Sequence, residues 1–109
     1  MNEIKLTYKG QDYILGFTRQ TAAMVEQRGV TLEDITEKPL TTWELLFAGA
    51  FLKNHRDVPK ALIDEIYANT KDIKGLIAVL SDLFAKPYMD LVDPDAEKEA
   101  LKNGQWETV

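Results

Sequence analysis

Trp43-Glu44-Leu45-Leu46-Phe47-Ala48-Gly49-Ala50-Phe51-Leu52 is apolar on too many sides of a helical wheel for one buried face to hold it. Trp43, Leu46, Phe47 and Phe51 form a stripe at i, i+3, i+4 and i+8, while Leu45 and Leu52 lie off it. A helix of this kind is surrounded by protein or keeps part of its surface for a partner. A bilayer requires roughly 20 apolar residues, and this run has about half of that. The segment therefore predicts the central helix of a small domain, with the rest of the chain packed around it.

Thr41 and Glu44 make a Thr-x-x-Glu capping box, which predicts a helix opening at Thr41. Its end is expected near Asn54-His55-Arg56, where a basic side chain suits the negative end of the helix dipole. Upstream, residues 3–17 read as a β-hairpin: Ile4, Leu6 and Tyr8 alternate with Lys5, Thr7 and Lys9, then Tyr13, Leu15 and Phe17 alternate with Ile14 and Gly16. Pairing Tyr8 with Gln11 across Lys9-Gly10 sets Leu6 opposite Tyr13 and Ile4 opposite Leu15. All four then share one face, as a hairpin with one buried side requires. Between hairpin and central helix, Thr18 predicts the N-cap of a helix over Arg19 to about Arg28, with Ala22, Met24 and Val25 inward and Gly29 as the C′ residue. Thr31 opens a short helical turn that should hold Leu32 and Ile35 against the core before Pro39 ends it.

Downstream, Pro59 suits the first turn of a helix whose stripe is Leu62, Ile63, Ile66 and Tyr67, broken at Asn69-Thr70. A last helix begins near Asp72. Ile73, Leu76, Ile77, Leu80, Leu83 and Phe84 face inward, Val79 widens that face, and Pro87 ends or kinks it. The fold class is thus α+β, mainly α: an N-terminal β-hairpin followed by a compact bundle of four to five helices in one domain over residues 1–92. Residues 93–109 turn polar and acidic and read as a flexible C-terminal tail.

The composition excludes more than it assigns. At 109 residues the chain holds one core, and 45% hydrophobic with 28% charged residues is ordinary globular usage. No cysteine means no disulfide, thiolate nucleophile or cysteine metal site. Met1 leads directly into a charged, alternating segment, so no secretory signal is expected. A net charge of −5 with scattered basic residues argues against nucleic acid, which also disfavours Tyr8 and Tyr13 as a stacking platform. The single histidine, His55, is expected to lie exposed at a helix end, and one histidine with Asp57 falls short of a structural metal site. Ser81 lies mid-helix, without the strained turn that presents a nucleophile. The six glycines form no phosphate-binding loop, and Pro94 spoils any calcium loop built on Asp90, Asp93 and Asp95. No catalytic residue, metal or cofactor is assigned. What remains is surface for another protein: the backbone edge of the hairpin, and apolar side chains around Pro87 with part of the central helix. The candidate partner-binding residues are Phe84, Tyr88, Met89, Leu91, Phe47 and Phe51.

The order of parts is itself suggestive. Ile4-Lys5-Leu6-Thr7-Tyr8-Lys9-Gly10-Gln11-Asp12-Tyr13 runs into Phe17-Thr18, then Met24-Val25-Glu26, Gly29-Val30-Thr31-Leu32, Leu40-Thr41-Thr42-Trp43-Glu44-Leu45 and a Pro59 helix. Over residues 3–92 this resembles the tail assembly chaperones of long-tailed bacteriophages and prophages of Gram-positive hosts. The resemblance implies a non-catalytic protein of the host bacterial cytoplasm, absent from the mature virion. Such a protein coats the phage tape measure protein before the tail tube polymerises. It also implies self-association into a homo-oligomer and a frameshifted longer form as a further partner, with neither nucleic acid nor membrane involved. The alternative in a different class is a structural head–tail connector or tail-completion protein.

Overall fold

The hairpin forms in the register that the alternation requires. In a computed structural model that describes residues 3–91, β1 (Glu3–Tyr8) pairs antiparallel with β2 (Gln11–Gly16), setting Leu6 against Tyr13 and Ile4 against Leu15. Lys9 and Gly10 both take positive φ, 50° and 78°, as a two-residue turn matched to the strand twist demands. Glycine does so freely; Lys9 adopts a conformation that few side chains accept. Five helices follow among the described residues: α1 (Arg19–Gln27), α2 (Leu32–Glu37), α3 (Pro39–Gly49), α4 (Lys60–Asn69) and α5 (Ile73–Leu91). The architecture is α+β and mainly α. Val92 and the acidic segment 93–109 set apart by sequence lie outside the described residues.

Local chemistry sets each helix boundary. Thr18 caps α1 reciprocally with Thr21: the Thr21 N–H donates to Thr18 Oγ1 at 3.0 Å, and the Thr18 N–H donates to Thr21 Oγ1 at 2.8 Å. The far end closes on Gly29 (φ 98°), whose N–H donates to the Glu26 carbonyl while the Val30 N–H reaches back to Val25. This pair of bonds is a Schellman closure, and it brings Val25 and Val30, both fully buried, together. Thr31 caps α2 through the Asp34 N–H at 3.1 Å. Only Ile35 of that helix enters the core; Leu32 is 41% exposed, contrary to expectation, because six residues make too few turns to bury two faces.

The central helix differs from its sequence reading at both ends. It begins at Pro39, two residues before Thr41, with the proline in the first turn and no side-chain cap. Thr41 and Glu44 therefore lie inside the helix, and their capping box does not form. At the other end α3 stops at Gly49 rather than near Asn54, and the chain tightens into turns whose N–H groups reach back three residues, Phe51 to Ala48 and Leu52 to Gly49. The Ala50 carbonyl is instead taken by the Gly16 N–H of β2 at 3.2 Å. Gly49, the last residue of α3, permits a close approach to α1: a Cβ on it would lie 2.2 Å from Val25 Cγ2.

Because α3 touches α1, α2, α4 and α5, most of its apolar residues are covered, although Leu40 and Leu45 remain exposed. Leu46, Phe47, Ala50 and Phe51 join Leu15, Val25, Ile66, Leu80 and Phe84 in one core. Aromatic rings connect its parts: Phe47 lies 5.3 Å from Phe51 and 5.2 Å from Tyr67, Phe51 lies 5.6 Å from Tyr13, and Phe17 lies 5.3 Å from Phe84. The Trp43 indole N–H donates to the Ile35 carbonyl at 2.7 Å and ties α2 to α3. Pro59 stands as the N-cap of α4, one position before its first turn. Pro87 does not end α5, which runs through it to Leu91. Val79 faces outward at 38% exposure instead of widening the buried stripe.

Candidate functional site

His55 and Ser81, the two side chains weighed for reactive chemistry, are both engaged in hydrogen bonds to the backbone. His55 is half-buried rather than exposed at a helix end: its Nε2 accepts the Ile14 N–H at 2.9 Å, and its ring packs edge-on against Tyr13 at 5.4 Å. The early stop of α3 is the physical reason, since it releases the chain to fold back over β2. Ser81 Oγ donates to the Ile77 carbonyl one turn earlier, at 2.7 Å. No group of three or more His, Asp or Glu side chains among the described residues is placed to hold a metal ion. No helix among them is long and apolar enough to cross a membrane.

Polar ties fasten the hairpin to the helices at two places. Near its tip, the Tyr8 hydroxyl donates to Glu65 of α4 at 2.8 Å, and Lys9 Nζ lies 3.4 Å from the same carboxylate. The Tyr8 hydrogen bond, then the Lys9 charge, hold the Glu65 carboxyl below the usual carboxylate range. At the base, Asn54 donates to Glu3 at 2.8 Å and Lys53 approaches it at 3.1 Å; these two contacts lower the Glu3 carboxyl in the same way.

The six candidate partner-contact residues divide sharply. Phe47, Phe51 and Phe84 are at most 1% exposed, so a partner docking on the folded surface cannot reach them. They are interior because four helices enclose α3 and because Phe84 sits beneath Phe17. Met89 and Leu91 are 64% and 62% exposed at the end of α5. Tyr88 is half-buried between them and α1, where burial and then its hydrogen bond to Glu26 push the phenol up to about 12. Tyr88, Leu91 and Pro87 line a shallow groove with Arg19, Ala22, Ala23 and Glu26 of α1. Leu40, 89% exposed in the first turn of α3, belongs to this surface chemistry and was not singled out by sequence. Its position before Thr41 hid it, since the helix was expected to begin later.

The two edges of the hairpin are also unlike. On β2 outward groups away from the tip are taken: Ile14 N–H by His55, the Ile14 carbonyl by Asn54 Nδ2 at 3.2 Å, and Gly16 N–H by Ala50, while at Asp12 the carbonyl meets only the neighbouring Gln11 side chain. On β1 the outward positions, alternate to those that pair with β2, are Glu3, Lys5 and Thr7. Their backbone groups meet no partner among the described residues.

The family described as a domain of unknown function, DUF5055, matches residues 1–108. The chain belongs to that family. The match covers the hairpin and all five described helices, so the open edge and the α1–α5 groove are parts of one family domain. No curated protein and no solved structure matches the chain.

Proposed function

We propose that this member of the DUF5055 family is a non-catalytic tail assembly chaperone of a long-tailed phage or prophage, and that it binds the tape measure protein and keeps it dispersed before tail-tube polymerisation. One observation carries the reading: His55 and Ser81 are committed to backbone hydrogen bonds, while Leu40, Met89 and Leu91 stand open to solvent. A protein built this way acts by contact. The resemblance of residues 3–92 to the chaperone family gives that contact its client. Modest apolar patches suit reversible coating of a long amphipathic helix, since a large obligate interface would resist displacement by tube subunits. The net charge of −5 favours solubility and discourages nonspecific contact with nucleic acid. On this reading the chain works in the host bacterial cytoplasm, self-associates, shares its client with a frameshifted longer form and leaves before the virion is complete.

Co-expression with the adjacent tape measure gene tests this directly. The client is expected to stay soluble with the chain and to precipitate without it. The double variant Met89→Ser, Leu91→Ser should lose that effect while changing stability by no more than about 0.5 kcal/mol, as exposed substitutions do. A client equally soluble alone would sink the proposal. Mass spectrometry of purified virions separates the structural alternative, because a connector or completion protein would be found in the particle.

A further inference from the structure

We infer that β1 is an interface between copies of this chain: the open edges of two hairpins pair antiparallel across a twofold axis at Leu6, joining them into one four-stranded sheet. Three observations on the strand lead there. First, the hairpin protects its edges unequally. Asn54, His55 and Ala50 cover outward groups of Ile14 and Gly16 on β2, while those of Glu3, Lys5 and Thr7 on β1 are left as a template for another strand. The edge carries no proline, and its pairing with β2 runs without a bulge from Glu3 to Tyr8.

Second, the inner face of the hairpin is covered unevenly. Tyr13 and Leu15 of β2 are buried, but their neighbours Leu6 and Ile4 on β1 are only half-buried, as is Tyr8. The helical body therefore stops short of the β1 edge. Edge-to-edge pairing about a twofold perpendicular to the sheet keeps both bodies on the same side, and this shortfall leaves room for the second one.

Third, the strand is complementary to itself in one register. The outward groups of Glu3, Lys5 and Thr7 limit the choice, since only odd positions can exchange hydrogen bonds with the second copy. Centring the pair on Lys5 sets two like charges directly opposite, which disfavours it. Centring it on Ile4 leaves most of the strand without a described counterpart. Centring it on Leu6 sets Lys5 opposite Thr7, Leu6 opposite Leu6 and Ile4 opposite Tyr8, and brings Glu3 of one copy alongside Lys9 of the other. Apolar residues then meet apolar residues along the whole inner face, in an isologous contact that closes at two copies. This interface stands apart from the α1–α5 groove and does not depend on which client is bound.

The absence of cysteine makes the test clean, because a single introduced thiol has only its own copy as partner. Opposed residues of a non-hydrogen-bonded pair lie about 4.5 Å apart at Cα, within disulfide reach. Leu6→Cys should give a disulfide-linked dimer under mild oxidation in clear excess over Ile4→Cys and Lys5→Cys, in chains shown to be folded by circular dichroism. The unmodified chain should be dimeric by light scattering. Thr7→Lys, which sets lysines opposite one another at two places but leaves the β1–β2 ladder whole, should raise the dimer dissociation constant about tenfold. Lys5→Pro removes an outward N–H that β2 does not use, and should give a folded monomer. A chain that stays monomeric to millimolar concentration, or linkage strongest at position 4 or 5, would overturn the interface. So would a dimer indifferent to both Thr7→Lys and Lys5→Pro, which would show that the copies meet elsewhere and that the edge serves another partner.

Discussion

The central helix and the hairpin both turn apolar residues inward, yet different forces hold them. Four helices enclose α3, and Phe47 and Phe51 meet other rings with no charged group in the contact. The hairpin has one apolar face, fully buried only along β2, and its perimeter is tied by Glu3, Asn54, His55 and Glu65. Packing in an interior answers to volume; ties at a rim answer to pH, salt and local opening. The hairpin should therefore open before α3 does, which hydrogen exchange would register as lower protection in β1 than in α3.

Four outcomes probe that contrast. The largest is at its centre: Phe47→Ala should cost about 3–5 kcal/mol in denaturant unfolding, as buried aromatic truncations do. Leu40→Ala in the same helix should cost less than about 0.5 kcal/mol, because it removes an exposed side chain. Equal losses at both would mean that α3 is not enclosed as described. Next is Gly49→Ala, whose new methyl group would meet the stiff Val25 side chain at 2.2 Å. Overpacking of about 1–3 kcal/mol should outweigh the gain of about 1 kcal/mol in helix propensity. A stabilised variant would show that α1 and α3 can part freely.

His55→Ala bears on the rim. It removes the acceptor of the Ile14 N–H, and a loss of about 1 kcal/mol, with faster exchange of that amide, is expected. Unchanged exchange would show the β2 edge to be guarded by something else. The smallest effect concerns charge. Glu3 and Glu65 are both lowered in the folded chain, by Asn54 and Lys53 in one case and by Tyr8 and Lys9 in the other. Their contribution is therefore fully present above the unfolded carboxylate value and fades as pH falls through the lowered folded one. The melting temperature should drop on that acid limb, and Glu65→Gln should flatten the limb. A limb as steep in the variant would remove Glu65 from the account.

Much of this was legible in sequence for a local reason. Strand alternation and the Lys9-Gly10 turn specify the hairpin register, and Thr18, Gly29 and Thr31 mark helix ends through bonds spanning a few residues. Thr41-x-x-Glu44 looked equally local but lost to Pro39, whose fixed φ had already begun the helix. The candidate site was less legible. Apolar character brought Phe84, Tyr88, Met89 and Leu91 together as one set, but it cannot tell a residue under Phe17 from one facing water.

The chain alone thus determined its elements and its strand register, because each depends on residue type and short spacing. Tertiary structure alone decided where α3 stops, which face of α5 is covered, that His55 accepts a β2 amide, and that one hairpin edge is guarded while the other is open. Those outcomes depend on groups far apart in sequence, such as Gly16 with Ala50, Ile14 with His55 and Tyr8 with Glu65. No local pattern records such contacts, because the free energy that fixes them arises only when the helices close around α3.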